Sequence, residues 1–206
     1  MIVEHENPDA WASAHDGAHD GESHANIALE VEFPDPWVFE PIPPEILDAP
    51  LDYLFADHHR QRQAALALLL VADGEFDRNG LGDLIDFLEV DFALHVDDEE
   101  RGFFPILRQH CAPQDNIDAL IDRLIDEHNN DDRISAEIMR VLNDLSEGKP
   151  LEESDKSKLR AFAEHIRQHL AVENAVLLPI ARVRLDENAQ SKLSAILKQH
   201  HAGTGD

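Results

Sequence analysis

Two stretches 74 residues apart constrain this chain more than anything else in it: "HVDDEERGFFPIL" at 95–107 and "HLAVENAVLLPIA" at 169–181. They share His at the first position, Glu at the fifth, two large apolar residues at the ninth and tenth, Pro at the eleventh and Ile at the twelfth. This is an internal repeat. Residues four apart on a helix lie on one face, one turn apart, so His95 with Glu99 and His169 with Glu173 each form a pair pointing the same way. The face that carries them is otherwise apolar. Leu159, Phe162 and Ile166 lead into His169, and Val176, Leu177 and Ile180 continue beyond Glu173 in steps of three and four. A carboxylate on such a line needs a partner, because burying it unpaired costs several kcal/mol.

The same stepping organises most of the chain. Four long amphipathic segments follow Pro50, broken at "ADGEFDRNG" (72–80), "HCAPQD" (110–115) and "SEGKP" (146–150), each with a Gly or Pro that stops a helix. Leu51, Leu54, Phe55, His58, Ala65 and Leu69 form the first stripe, and Leu84, Leu88, Phe92, His95, Glu99 and Ile106 the second. Ile117, Ile121, Leu124, His128, Ile138 and Leu142 form the third. Short connections force antiparallel neighbours. The expected fold is all-α: an up-and-down antiparallel four-helix bundle over 49–184, an irregular acidic and His-rich N-terminal arm over 1–48, and a short C-terminal helix with a polar tail over 185–206.

Heights along such a bundle test the pattern independently. About the turn at 76, His58 lies 18 residues before and His95 19 after; about 112, His95 and His128 lie 17 and 16 away; about 149, His128 and His169 lie 21 and 20 away. Four histidines therefore fall at one level. Glu99 and Glu173, on segments running the same way, are displaced one turn in the same direction. His59 competes with His58 for the first position, but His58 shares its face with Leu51, Leu54 and Phe55 and is preferred. His165, one turn before His169, is expected at the rim, and Asp97, Asp98 and Glu100 in "DDEERG" are expected on solvated faces without a special role. Pro105 and Pro179 each remove a helix donor, which predicts a kink or an end below the cluster.

Four imidazoles and two carboxylates without a thiolate suit iron, manganese or zinc better than calcium or magnesium. Two facing carboxylates among four histidines serve best as bridges, giving two metals with two His each and open positions for a small exogenous ligand. Composition agrees with a soluble, cytoplasmic binding protein. A formal charge of −26 disfavours nucleic acid and anionic membranes. No run approaches the roughly 20 apolar residues of a membrane span, and the N-terminus "MIVEHENPDA" has no apolar signal region. The single Cys111 excludes an internal disulfide and any Cys-rich zinc site. Thirteen histidines are the anomaly, and "HDGAHDGESH" (15–24) is either a weak second metal site or a solvated tract. "PDPWVFEPIPPEIL" (34–47) carries enough large apolar groups to dock on a surface.

His58, His95 with Glu99, His128, and His169 with Glu173 together resemble the H…HxxxE…H…HxxxE signature of hemerythrin-like, or HHE cation-binding, domains, over roughly 50–182. The resemblance implies that these six residues hold two iron ions in an Fe–O–Fe centre, manganese or zinc being the alternatives. It further implies a partner such as dioxygen, nitric oxide or peroxide, in a sensor acting in a stress response with a regulatory protein partner. A peroxide- or nitric-oxide-consuming oxidoreductase and a metal-storage or structural protein are the alternative readings. Oxygen carriers of this kind have a second histidine four residues after the third-helix ligand, where this chain has Asp132, which implies one less saturated iron.

Overall fold

A computed structural model describes residues 35–202, with the side chain of Asp132 excepted. The "HDGAHDGESH" tract, the end of the polar tail and any contact made by the Asp132 side chain therefore lie outside the described residues. Those described are helical, without a strand. A 3₁₀ turn at Pro44–Asp48 leads into α1 (Pro50–Asp73). The next helical run comprises α2 (Arg78–Asp86), α3 (Phe92–Asp98) and α4 (Phe104–His110), joined without a break by two π turns, Phe87–Asp91 and Glu99–Phe103. Then come α5 (Asp118–Ser146) and α6 (Glu153–Val172), which passes through a π turn at Glu173–Leu177 into α7 (Leu178–Arg184). Finally α8 (Glu187–Ala202) closes the described chain and includes His200 and His201.

Capping and turn chemistry explain where these runs stop. Gly74, at φ 85°, ends α1 in the left-handed conformation that costs glycine nothing. Asp77 starts α2 by accepting a hydrogen bond from the Gly80 N–H at 2.8 Å. The apolar segment ahead of α1 does dock. Trp37 lies so close to Gly80 that a Cβ there would fall 2.7 Å from its ring, and Phe39 stacks on Phe87 with ring centroids 4.7 Å apart.

Buried apolar side chains form two separate clusters, and each long run crosses from one to the other. Leu51 and Leu54, Phe103 to Leu107, Ile117 to Leu124, and Leu177 to Ala181 belong to the first, which α8 completes with Ala189, Leu193 and Leu197. Ala64 to Ala72, Leu81 to Leu88, Ile138 to Leu142, and Leu159 to Leu170 form the second. Between them lies a layer of buried polar side chains from all four runs: Asp57, His58 and Gln61; His95, Asp98 and Glu99; His128 and Asp131; His169 and Glu173. Polar groups split the core at one level, which is where the histidine counts place them.

Burial departs from the uniform helical stripe in a regular way. After Glu173 the buried residues are Leu177, Leu178 and Ala181, whereas Val176 is exposed and Ile180 only partly covered. Each is one residue later than expected. The π turn accounts for the slip: the Leu178 N–H bonds to the Glu173 carbonyl five residues back, so the turn absorbs one extra residue and rotates everything after it. Pro179 follows directly, and Pro105 stands in the same place after the π turn whose closing bond runs from the Phe104 N–H to Glu99. The prolines therefore neither end their helices nor act alone. Each sits in the first turn of the next helix, where a missing donor costs least. Phe55, placed on the first core stripe by its spacing, is also exposed, since α1 turns that flank outward.

Candidate metal centre

The polar layer holds all six residues singled out by the sequence, and all six are buried. They fall into two overlapping groups. His58 and His95 share Glu99 and Glu173 on one side, and His128 and His169 share the same two glutamates on the other, with potential donor atoms in each group within 4.8 Å of one another. The Nε2 atoms face inward: His58 lies 3.6 Å from Glu99 and 3.5 Å from Glu173, His95 and His128 each 3.5 Å from Glu99, and His169 3.2 Å from Glu173. Within the second group His128 Nε2 stands 3.1 Å from His169 Nε2. His59, the competitor for the first position, is exposed and outside both groups.

The outward nitrogens determine what these inward ones can be. His95 Nδ1 faces Asp57 Oδ2 at 3.0 Å, somewhat off the ideal N–H direction. His128 Nδ1 meets Glu100 Oε1 at 2.9 Å and His169 Nδ1 meets Glu127 Oε2 at 2.9 Å. His58 Nδ1 meets Asn174 Oδ1 at 3.2 Å, and that amide's nitrogen donates to the Leu170 carbonyl at 2.7 Å, so the oxygen must be the end facing His58. Carboxylates only accept hydrogen bonds, so Nδ1 is the outward donor nitrogen of each ring and Nε2 faces the centre, as a lone pair in a neutral ring and as an N–H in a charged His169. The four supports form a ring. Each is adjacent in sequence to a cluster residue of its own helical run and holds the histidine of the next: Asp57 on α1 holds His95, Glu100 holds His128, Glu127 holds His169, and Asn174 closes back on His58.

Lone pairs facing carboxylates at this depth are an electrostatic problem that a cation solves. His58 Nε2, His95 Nε2 and all four oxygens of Glu99 and Glu173 are buried without a hydrogen-bond partner. Burial and the neighbouring Glu173 charge push the Glu99 carboxyl well above its usual range. Burial pushes Glu173 up most strongly, but the charge and hydrogen bond of His169 together with the charges of His58 and His95 outweigh it and hold that carboxyl well below the usual range. His169 shows the counterpart: burial works against its charged form, yet Glu173 and Glu99 raise it from 6.5 to about 10. Protons can compensate this cluster only in part, whereas divalent cations would satisfy the six residues together.

Two expectations about the surrounding acids are corrected. Asp98 is fully buried, with Oδ1 2.8 Å from His200 Nδ1 and Oδ2 2.8 Å from His201 Nε2 on α8. Glu100 is one of the ring supports. Only Asp97 of the three sits on a solvated face, paired with Arg101. The reason is that the helix carrying Glu99 is covered on two sides, by the cluster and by α8, where Gly102 lets Leu193 and Ile196 approach to 3.3 Å of where a Cβ would be. His165 is at the rim, as its spacing implies, paired with Asp131 and half-buried. Sequence reasoning missed the four supports, although a readable signal existed: each is the immediate neighbour of a proposed ligand.

A buried set of His and Glu donors in an all-helical domain defines a cation-binding helical protein. The family model for the hemerythrin HHE cation-binding domain matches residues 49–181, and the chain belongs to that family. A search of curated proteins returns no match. No helix among the described residues is long and apolar enough to cross a membrane.

Proposed function

We propose that Glu99 and Glu173 bridge two metal ions, iron by preference, one also held by His58 and His95 and the other by His128 and His169. The observation that carries this reading is that both glutamates belong to both four-residue groups, whereas each histidine belongs to one. The traverse of the four runs between two apolar clusters supports an up-and-down antiparallel four-helix bundle as the frame. Two iron ions would supply reversible electron transfer and an open coordination position for a small ligand. The chain's own part is to orient four Nε2 atoms by three outward hydrogen bonds and the His95–Asp57 ion pair, to exclude bulk water with the apolar layers, and to admit a small molecule beside His128.

The function that follows is binding of dioxygen, nitric oxide or a related small oxidant, as a sensor in a stress response. A second reading, an oxidoreductase consuming peroxide or nitric oxide, is supported by the pocket against His95, His128 and His169. Iron analysis, absorption spectra and turnover assays test both. Iron uptake with ligand-dependent spectra and no turnover supports the sensor, sustained consumption of peroxide or nitric oxide supports the enzyme, and absence of metal uptake defeats both.

A further inference from the structure

The pocket beside the cluster is lined by His95, His128 and His169 together with Gln61, Phe92 and Asp131. A broader surface groove between α3 and α5 shares Phe92, Val96, His128 and Asp131 with it, so those four side chains form the neck between solvent and the cluster. The walls around the neck are mostly apolar, with Ile166 and Leu170 behind Phe92. Gln61 directs its amide nitrogen away, to Asp57 at 3.3 Å. Asp131 is different. Only 4% of it is exposed, and His165 Nε2 lies 3.0 Å from Oδ1 and 3.1 Å from Oδ2, but the angle suits a hydrogen bond to Oδ2 alone. Oδ1 is left buried, beside the His165 ring but without a hydrogen bond.

Leaving a buried acceptor unpaired costs roughly 1–3 kcal/mol, more for a charged group, and a ligand that donates a hydrogen bond recovers it. A carboxylate accepts and never donates. Dioxygen and nitric oxide carry no hydrogen to offer; hydrogen peroxide does. We propose that Asp131 is a specificity-determining residue of this pocket, its Oδ1 accepting a hydrogen bond from a small neutral ligand with an O–H group, of the hydrogen peroxide class, in preference to dioxygen or nitric oxide. This rests on the reading of the cluster as a metal centre and narrows the ligand of that centre. Phe92 adds an apolar wall, and His165, itself partly exposed, holds the carboxylate in place.

The test uses the full chain loaded with iron, with three readouts: iron content, the half-saturating concentration of hydrogen peroxide by rapid-mixing absorption, and the equilibrium affinity for nitric oxide. Asp131→Leu is expected to raise the peroxide half-saturation about tenfold or more while leaving nitric oxide affinity within about twofold and iron content unchanged. Asp131→Asn, which keeps the shape and an acceptor oxygen, recovers most of the peroxide response. Equal weakening toward both ligands, or no change toward peroxide, overturns the proposal. If the leucine variant loses iron, the asparagine variant decides: peroxide half-saturation rises about threefold, since a neutral acceptor is weaker than a charged one, with nitric oxide unmoved, or the proposal falls. A parent protein that takes up no iron defeats the metal reading itself, whereas loaded variants that do not discriminate defeat this inference alone.

Discussion

The two sides of the centre come from the same repeat and the same pair of glutamates, yet they are supported differently. On the His58 and His95 side the carboxylate support is Asp57, buried and itself held by Arg60 at 3.1 Å and Gln61 at 3.3 Å, while the other support is the neutral Asn174. On the His128 and His169 side both supports are carboxylates, Glu100 and Glu127, whose side chains are 33% and 20% exposed. That side also carries the neck to the surface groove. One repeat therefore yields a closed half and an accessible half. The difference lies in the surroundings of the supports: Asp57 is 2% exposed, whereas a groove between α3 and α5 is lined by Glu100 and His128 of the second half.

The largest effect is expected where the halves cannot be separated. Glu99→Ala and Glu173→Ala should each release metal from both sides and abolish the gain in Tm that metal confers on the parent, a fall of about 10 °C for a loss of roughly 3–5 kcal/mol. The metal-free Glu99→Ala variant should be no less stable than the metal-free parent, because one of two crowded buried carboxylates has gone, whereas metal-free Glu173→Ala loses the ion pair with His169 and should be less stable. Calorimetry with and without metal checks both statements, and Asp97→Ala, on the solvated face, is the control. An alanine at 173 that kept one tightly held metal would show that the halves do not share their bridges.

Asp57→Ala against Glu127→Ala measures the asymmetry directly. Loss of the buried Asp57 should cost about 2–4 kcal/mol of stability, since it strands His95 and leaves the buried Arg60 to Asp91 alone, whereas loss of the partly exposed Glu127 should cost about 1 kcal/mol or less. Both should weaken metal binding on their own side, by about 10- to 100-fold. Similar denaturation midpoints for the two variants would erase the distinction. A smaller effect is kinetic: a chelator should remove metal in two phases, the ion beside the groove leaving first, and Glu127→Ala should accelerate the fast phase alone.

Changing the pH should move the metal-free and metal-loaded forms in opposite directions. His169 rises from 6.5 to about 10 on folding, so its contribution to stability is complete below about pH 6.5 and is lost as pH climbs toward 10. Metal binding requires the neutral ring and strengthens over the same interval. Denaturation midpoints of the two forms between pH 6.5 and 10 should therefore diverge, and parallel curves would contradict this assignment of His169.

The repeat and the histidine heights made the cluster legible in sequence because ligand spacing and helical spacing obey the same geometry. The comparison also shows where that reasoning stops. Val176 and Ile180 were assigned to the core from a uniform 3.6-residue period, and a π turn starting at Glu173 shifted the buried line by one residue. Nothing in the local pattern announces such a turn, although a proline six residues after each repeated glutamate is a usable sign. Asp98 reads as solvated from its own helix, and its burial depends on His200 and His201 from a helix a hundred residues later. Local periodicity describes one packed face; a second face covered by a distant element leaves no periodic trace.

Metal stoichiometry joined to magnetic coupling tests the central claim most directly. Purified protein loaded with iron should contain close to two ions per chain, and in the diferric state the two should be antiferromagnetically coupled, because Glu99 and Glu173 each reach both sides of the cluster. One ion per chain, or two without coupling, would contradict a shared dinuclear centre.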